Sequence, residues 1–335
     1  VAESAAVSIQ APASDLLTLE NTALCVRMMP RMGGKLVSIV ARSWDGEHEL
    51  LHPPIHPYNT ATDTSSFALS DAGGWDECLP SVGACSFSGA EIPDHGDVWR
   101  RPWDTVVRHD AVLAHVSAYS APLRFSRWMS LDGATMHLRY AVTNTGVHGA
   151  DFLWCAHPLF QVQEGDRIVL PETVHEVRVE GSSLAELPAD LVSWPHAQLN
   201  NGQWNDLSMV GPRDGATSYK LFAGPLDAGW CGLYRASLKL GIVLRFDPGQ
   251  TPYAGLWISH GAWPENGCMQ TQYTVALEPT TAPCDALDEA ARRGQAQHLL
   301  PQAEFSWPLQ LEVFGTQHPI SYDEFHSLAS TPLKH

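Results

Sequence analysis

The sequence predicts an all-β protein: one large antiparallel β-sandwich with very little helix. Three observations carry that prediction. Apolar and β-branched residues alternate in short runs along most of the chain, the period of half-buried strands. Only one segment carries the terminal signals of a helix. No linker, internal repeat or low-complexity tract divides the chain, so the strands belong to one sandwich.

Taken in order, the first strand is 35–42 (KLVSIVAR), which alternates after the Gly33-Gly34 turn. Segments 123–131 and 134–144 flank Asp132-Gly133, a pair that favours a tight turn whose twist suits the flanking strands. Further strands are expected over 151–160, 175–180, 219–224, 230–237, 239–246, 253–259 and 270–279. The one helix is expected over 285–294. Asp285 would cap it, Asp288 and Glu289 sit near the positive end of its dipole, and Arg292-Arg293-Gly294 close it. The Pro-rich stretch at 53–57 is too short for a linker. Residues 1–335 therefore read as a single domain, with 1–15 as a poorly ordered N-terminal extension.

Composition bounds the function. A chain of 335 residues can bury a large core without a metal or disulfide staple. Twenty cations against 37 carboxylates leave a net charge of −17, and only Lys35, Lys220, Lys239 and Lys334 are lysines. Such a surface repels phosphate backbones and anionic lipid, which argues against nucleic-acid or membrane partners. No apolar run approaches the roughly 20 residues of a spanning helix. Residues 1–15 lack the basic start and apolar centre of a secretory signal. Seven cysteines without a C-x-x-C pair fit reduced, buried thiols better than a disulfide framework. A cytoplasmic compartment is the expectation.

Among motifs, His48-Glu49-Leu50-Leu51-His52 matches the zinc-protease signature H-E-x-x-H, which requires a helix. Asp45-Gly46 before it and Pro53-Pro54 after it leave little more than one helical turn, so the protease reading is rejected. No P-loop, dinucleotide fingerprint or nucleophile elbow is present. Twelve tryptophans are many for this length, and several sit beside polar groups: Trp75-Asp76, Trp99-Arg100, Trp154 near His157, and Trp257 near His260. Flat rings interleaved with carboxylates and histidines suit a pyranose, which has a C–H face and a rim of hydroxyls. Each pair alone reads as structural; their recurrence points to a carbohydrate site.

Several segments in order resemble the aldose 1-epimerase (galactose mutarotase) family. They are Gly33-Gly34-Lys35 with Gly46 and Glu49-Leu50-Leu51; Gly73-Gly74-Trp75-Asp76-Glu77-Cys78-Leu79-Pro80; Pro93-Asp94-His95-Gly96 with Trp103; Asn144-Thr145-Gly146 with Trp154-Cys155-Ala156-His157; and Leu277-Glu278-Pro279-Thr280-Thr281. The resemblance spans roughly residues 17–315. It implies a large twisted antiparallel β-supersandwich, a free monosaccharide as substrate, no cofactor or metal, and a monomer or homodimer. By position, His95 and His157 are similar to the family's active-site histidines and Glu278 to its catalytic carboxylate. Two departures weigh against phosphate recognition. Arg100 and Arg101 follow His95 by five and six residues where many mutarotases place an arginine at four. The double glycine is flanked by Ala72 and Trp75 where hexose-phosphate epimerases carry an arginine.

Interconverting anomers requires a base at the C1 hydroxyl and an acid at the ring oxygen, at one pH. The resemblance assigns Glu278 as base and His157 as acid, with His95 stabilising charge near the ring oxygen. Asp76 is expected to grip hydroxyls and Trp99 or Trp154 to stack on the ring, with Arg100 and Trp257 as further substrate-binding candidates. Three other readings stay open: a non-catalytic carbohydrate-binding protein, a hexose-6-phosphate 1-epimerase, and a lyase or glycosidase for which Asp76 would be the second carboxylate.

Overall fold

The computed structural model describes residues 7–10, 15–183, 187–188, 190–214, 216–264 and 271–331. Two large antiparallel sheets face each other, as the alternation predicts. Leu123–Asp132 shows why: its odd positions are buried and its even ones are not, the period-two pattern of a strand with one wet face. Strands such as Trp75–Cys78 and Leu240–Phe246 are buried throughout.

The twelve-stranded sheet runs from Ser8–Gln10 through Leu17–Glu20, Leu24–Met29, Lys35–Ser43, Trp75–Cys78, Cys155–Gln161, Tyr273–Thr280, Tyr253–His260, Ser218–Ala223 and Glu176–Ser182 to Asp190–Ser193, with Gly46–Glu49 paired to Lys35–Ser43. The eight-stranded sheet runs from Arg167–Val169 through Trp230–Arg235, Leu240–Phe246, Glu304–Phe314, Thr135–Asn144, Leu123–Asp132 and Ala111–Ser117 to Asp104–Arg108. The crossovers of the larger sheet bring segments from four distant parts of the chain side by side. That is what assembles the site.

Aromatic rings fill the space between the sheets, with Trp154 and Trp307 ring centres 4.8 Å apart and Tyr140 4.8 Å from Trp154. Among the described residues, one charge pair crosses this apolar layer. Arg127 from the smaller sheet lies 3.1 Å from Glu77 of the larger, whose carboxylate also accepts from the Tyr140 hydroxyl (2.9 Å) and the Trp154 indole N–H (3.0 Å). Such a pair is tolerable in a core only when its lone pairs are satisfied in this way.

The expected strands appear with ends shifted by at most three residues. The exception is 151–160, which splits into Ala150–Phe152, paired with Gln297–Leu299, and Cys155–Gln161 in the large sheet. Of the predicted 270–279, residue 270 lies outside the described residues, and the strand is Tyr273–Thr280. The helix is shorter than expected, Leu287–Arg292, and Asp285 does not cap it. The Ser81 hydroxyl accepts from the Leu287 N–H instead (3.0 Å), which leaves the Asp285 carboxylate to face Lys220. A second helix, Tyr322–Ala329, opens on a capping box between Ser321 and Glu324. Of the leading residues, Ser8–Gln10 pairs with Leu17–Glu20, while 1–6 and 11–14 lie outside the described residues. The six described cysteines are free thiols; Cys268 lies outside. Among the described residues no helix is long and apolar enough to cross a membrane.

Candidate functional site

Four strands of the large sheet and one loop supply the site. His157 projects from Cys155–Gln161, Glu278 from its neighbour Tyr273–Thr280, Trp257 from Tyr253–His260, and Lys220 from Ser218–Ala223. Glu278 and Lys220 stand two strands apart, so the carboxylate must reach across the strand between them. Gly255 pairs with Glu278 there, and a Cβ on it would lie 2.6 Å from Glu278 Oε2. Only a glycine leaves that path open.

The two carboxylate oxygens of Glu278 have different surroundings. Oε2 accepts a short hydrogen bond from Lys220 Nζ and lies 3.8 Å from the Cys155 thiol. Oε1 faces His157 Nε2 at 3.5 Å and has no hydrogen-bond partner among the described residues; neither does His157 Nδ1. Lys220 also lies 3.4 Å from Asp285 Oδ1. His95 comes from a turn with φ of 61°, a left-handed conformation that costs a non-glycine residue energy and is often stored at functional sites. Its ring stacks on Phe67 at 3.6 Å, meets His157 edge-on at 5.0 Å, and has Asp94 Oδ2 3.0 Å from Nδ1.

Electrostatics follow from burial. Burial raises the Glu278 carboxyl above its ordinary value, and the Lys220 charge opposes that rise. The His157 imidazole falls well below its usual range, through burial first and then the neighbouring His95, Lys220 and Lys35. Burial alone would lower the Lys220 ammonium, but the Asp285 and Glu278 carboxylates outweigh it and hold the charge. At neutral pH the site therefore carries a fixed cation behind one carboxylate oxygen and a neutral imidazole before the other.

These groups open into a small cleft of about 190 Å³. Trp257 and Trp263 wall it at nearly a right angle, 82° with ring centres 6.1 Å apart. The described residues lining it include Asp94, Asp285, Glu278 and Lys220 but no arginine.

Of the residues expected from sequence, His95, His157, Glu278 and Trp257 meet in this cleft. Four others do not line it. Trp154 is wholly buried between the sheets, its N–H on Glu77, so no ring can stack on it from the cleft. Trp99 is buried with Ile55, Phe67 and Ala72. Arg100 spends its guanidinium on backbone, donating to the carbonyls of Gly96 (3.2 Å), Asp63 (3.1 Å), Asp94 (2.9 Å) and Ser65, and so ties two loops together. Asp76 is 1% exposed and holds Lys35 at 2.7 Å together with Asp71. The H-E-x-x-H segment is a strand end: Glu49 accepts from the Ser38 hydroxyl (2.5 Å) and the Ile39 and Leu51 amides (2.9 and 3.0 Å).

Sequence reasoning missed Lys220, Asp285, Trp263 and Gly255. Lys220 had a signal, a lysine inside the run Tyr219–Ala223 that is otherwise apolar and buried. Gly255 and Asp285 had none, because their importance depends on strand order and on a helix start one residue later than expected.

No protein-family model matches the chain, and no curated protein matches its sequence. Solved structures do. A galactose mutarotase-like protein from Lactobacillus casei superposes with a TM-score of 0.63 at 19% identity, over 89% of this chain and 99% of that one. A galactose mutarotase related enzyme from Lactobacillus acidophilus gives 0.62 at 16% identity, over 91% and 99%. The same fold forms about half of a TPR-domain containing protein from Parabacteroides distasonis, with a TM-score of 0.65 at 17% identity over 96% of this chain and 49% of that one. Two facing antiparallel sheets, with a buried Glu–His pair on the larger, are thus carried on the galactose mutarotase-like fold.

Proposed function

We propose that this protein is an aldose 1-epimerase that interconverts the α and β anomers of a free, uncharged aldose. The observation that carries the reading is the Glu278–His157 pair: Oε1 and Nε2 3.5 Å apart, Oε1 without a hydrogen-bond partner among the described residues, at the wall of a cleft flanked by tryptophan rings. Glu278 Oε1 takes the proton of the C1 hydroxyl as C1–O1 becomes a carbonyl. The C1–O5 bond breaks, its electron pair stays on O5, and O5 takes a proton from His157. Rotation about C1–C2 and the reverse steps return both protons and give the other anomer. The reactive form has Glu278 ionised and His157 protonated; with the carboxyl raised and the imidazole lowered, this is the minor form of the singly protonated pair, which titrates as a unit. The pH profile is then bell-shaped: a second proton disables the base, and loss of the single proton disables the acid.

The phosphosugar alternative lacks support, since no arginine is among the described lining residues. A glycosidase with Asp76 as partner is likewise disfavoured, because Lys35 already holds that carboxylate. The Lys220 contact favours one second reading, sugar binding without turnover, because an ammonium on Oε2 weakens a carboxylate base. Magnetisation exchange between anomers across a panel of aldoses and their 6-phosphates separates these readings. Accelerated exchange of a neutral aldose, with the phosphates unaffected, is expected. Binding without acceleration on any sugar gives the second reading, and acceleration confined to phosphates contradicts the substrate class.

A further inference from the structure

The outer edge of the eight-stranded sheet, Asp104–Arg108, pairs only with Ala111–Ser117 among the described residues. It is longer than the other sheet edges. Ser8–Gln10 and Arg167–Val169 have three residues each, and Asp190–Ser193 has four and begins at a residue with φ of 79°. Natural sheets usually blunt such an edge with a proline, a bulge or a covering loop, since unpaired amides recruit another strand. Here the sequence is DTVVR, without any of these, and Val106 and Val107 are 39% and 41% exposed.

Register shows what strand would fit. Arg108 pairs with Ala111 across the two-residue turn His109-Asp110, so Arg108, Val106 and Asp104 turn their amides toward Ala111–Ser117. Thr105 and Val107 turn theirs outward. Lay a second copy of Asp104–Arg108 antiparallel on this edge, with a two-fold axis at Val106. Thr105 then meets Val107 of the partner as a hydrogen-bonded pair on both sides of the axis. Val106 meets its own image, and Asp104 falls opposite Arg108 twice. Both of those are non-hydrogen-bonded pairs, whose side chains approach most closely. The charged ends that would repel an arbitrary strand match this strand's own reverse.

We propose that Asp104–Arg108 is a homodimer interface, with two copies joining their eight-stranded sheets edge to edge about a two-fold axis at Val106. Val106, Leu113 and Trp128 lie in one row across three strands, so the two copies align a continuous apolar band on the outer face. The occupant is a second copy because the edge is self-complementary in charge, in amide direction and in side-chain size.

Sedimentation equilibrium of the full chain over a range of concentrations tests this. Wild type is expected at twice the 36.6 kDa chain mass. Asp104→Arg and Arg108→Asp each turn two attractive pairs into repulsive ones and should weaken the dimer by at least about tenfold. Asp104→Arg/Arg108→Asp restores opposite charges and should recover it. Val107→Pro removes one outward amide while sparing those that close the hairpin, and should give monomer with an unchanged circular dichroism spectrum. A wild-type monomer at every concentration overturns the proposal. So does a dimer indifferent to Val107→Pro, or a double variant that fails to recover, since either places the contact elsewhere.

Discussion

At the scale of single residues, Lys220 sets how the candidate acid–base pair titrates. Its ammonium holds one oxygen of Glu278 and lowers the proton affinity of both Glu278 and His157. Replacing it with methionine removes a positive charge, so both groups bind protons more tightly. The alkaline limb of kcat/KM, where the pair loses its single proton, should therefore move to higher pH by at least about one unit. A limb that stays in place separates Lys220 from the chemistry. Gly255→Ala is the sharper geometric test: its Cβ would displace the Glu278 carboxylate, and a misplacement on the order of 1 Å should cost about 100-fold in kcat with the fold intact. His95, His157 and Glu278 were picked out by the family resemblance of the segments around them, and the fold brings all three to one cleft. Trp154 was misread for a reason the sequence contains. It stands three residues from His157, an odd spacing that puts the two side chains on opposite faces of extended chain.

Among the elements, the terminal helix Tyr322–Ala329 shows how a short segment is secured. Its capping box satisfies orphan amides at one end, and the Arg245 guanidinium binds the carbonyls of Leu328 (2.8 Å), Ala329 (2.7 Å) and Thr331 at the other. Phe325 fills the space left by Gly232 and Gly241, where a Cβ on Gly241 would lie 1.9 Å from the ring. Ser321→Ala should lower stability by about 1 kcal/mol in urea unfolding without changing sugar exchange. The sequence carries the helix's start in Ser321-x-x-Glu324, a capping box, although only 285–294 was expected as helix. Glu304–Phe314 was concealed differently. It lies inside the eight-stranded sheet yet carries Pro308, which cannot donate to a ladder and argues against a central strand on sequence alone. The ladder with Leu240–Phe246 ends at Leu309, so Pro308 lies just outside the stretch paired on both sides and, among the described residues, has only Thr135–Asn144 beside it.

The whole molecule depends on how the two sheets are held in register, because His157 and Glu278 stand on one of them. Glu77 and Arg127 are the charged link across the core, and burial pushes the Glu77 carboxyl up to about 7 against the pull of Arg127. Arg127→Met leaves Glu77 buried without its partner charge and should cost about 3–5 kcal/mol, measured by chemical denaturation. Strand alternation revealed the sandwich; strand order, which decides what meets Glu278, depends on crossovers that no local pattern encodes. The most direct test of the central claim is the rate of α/β exchange of an accepted aldose in wild type and in Glu278→Gln, read by NMR with sugar binding measured in parallel. The account predicts that Glu278→Gln still binds the sugar while exchange falls at least about 100-fold. Equal exchange in the two proteins would contradict it.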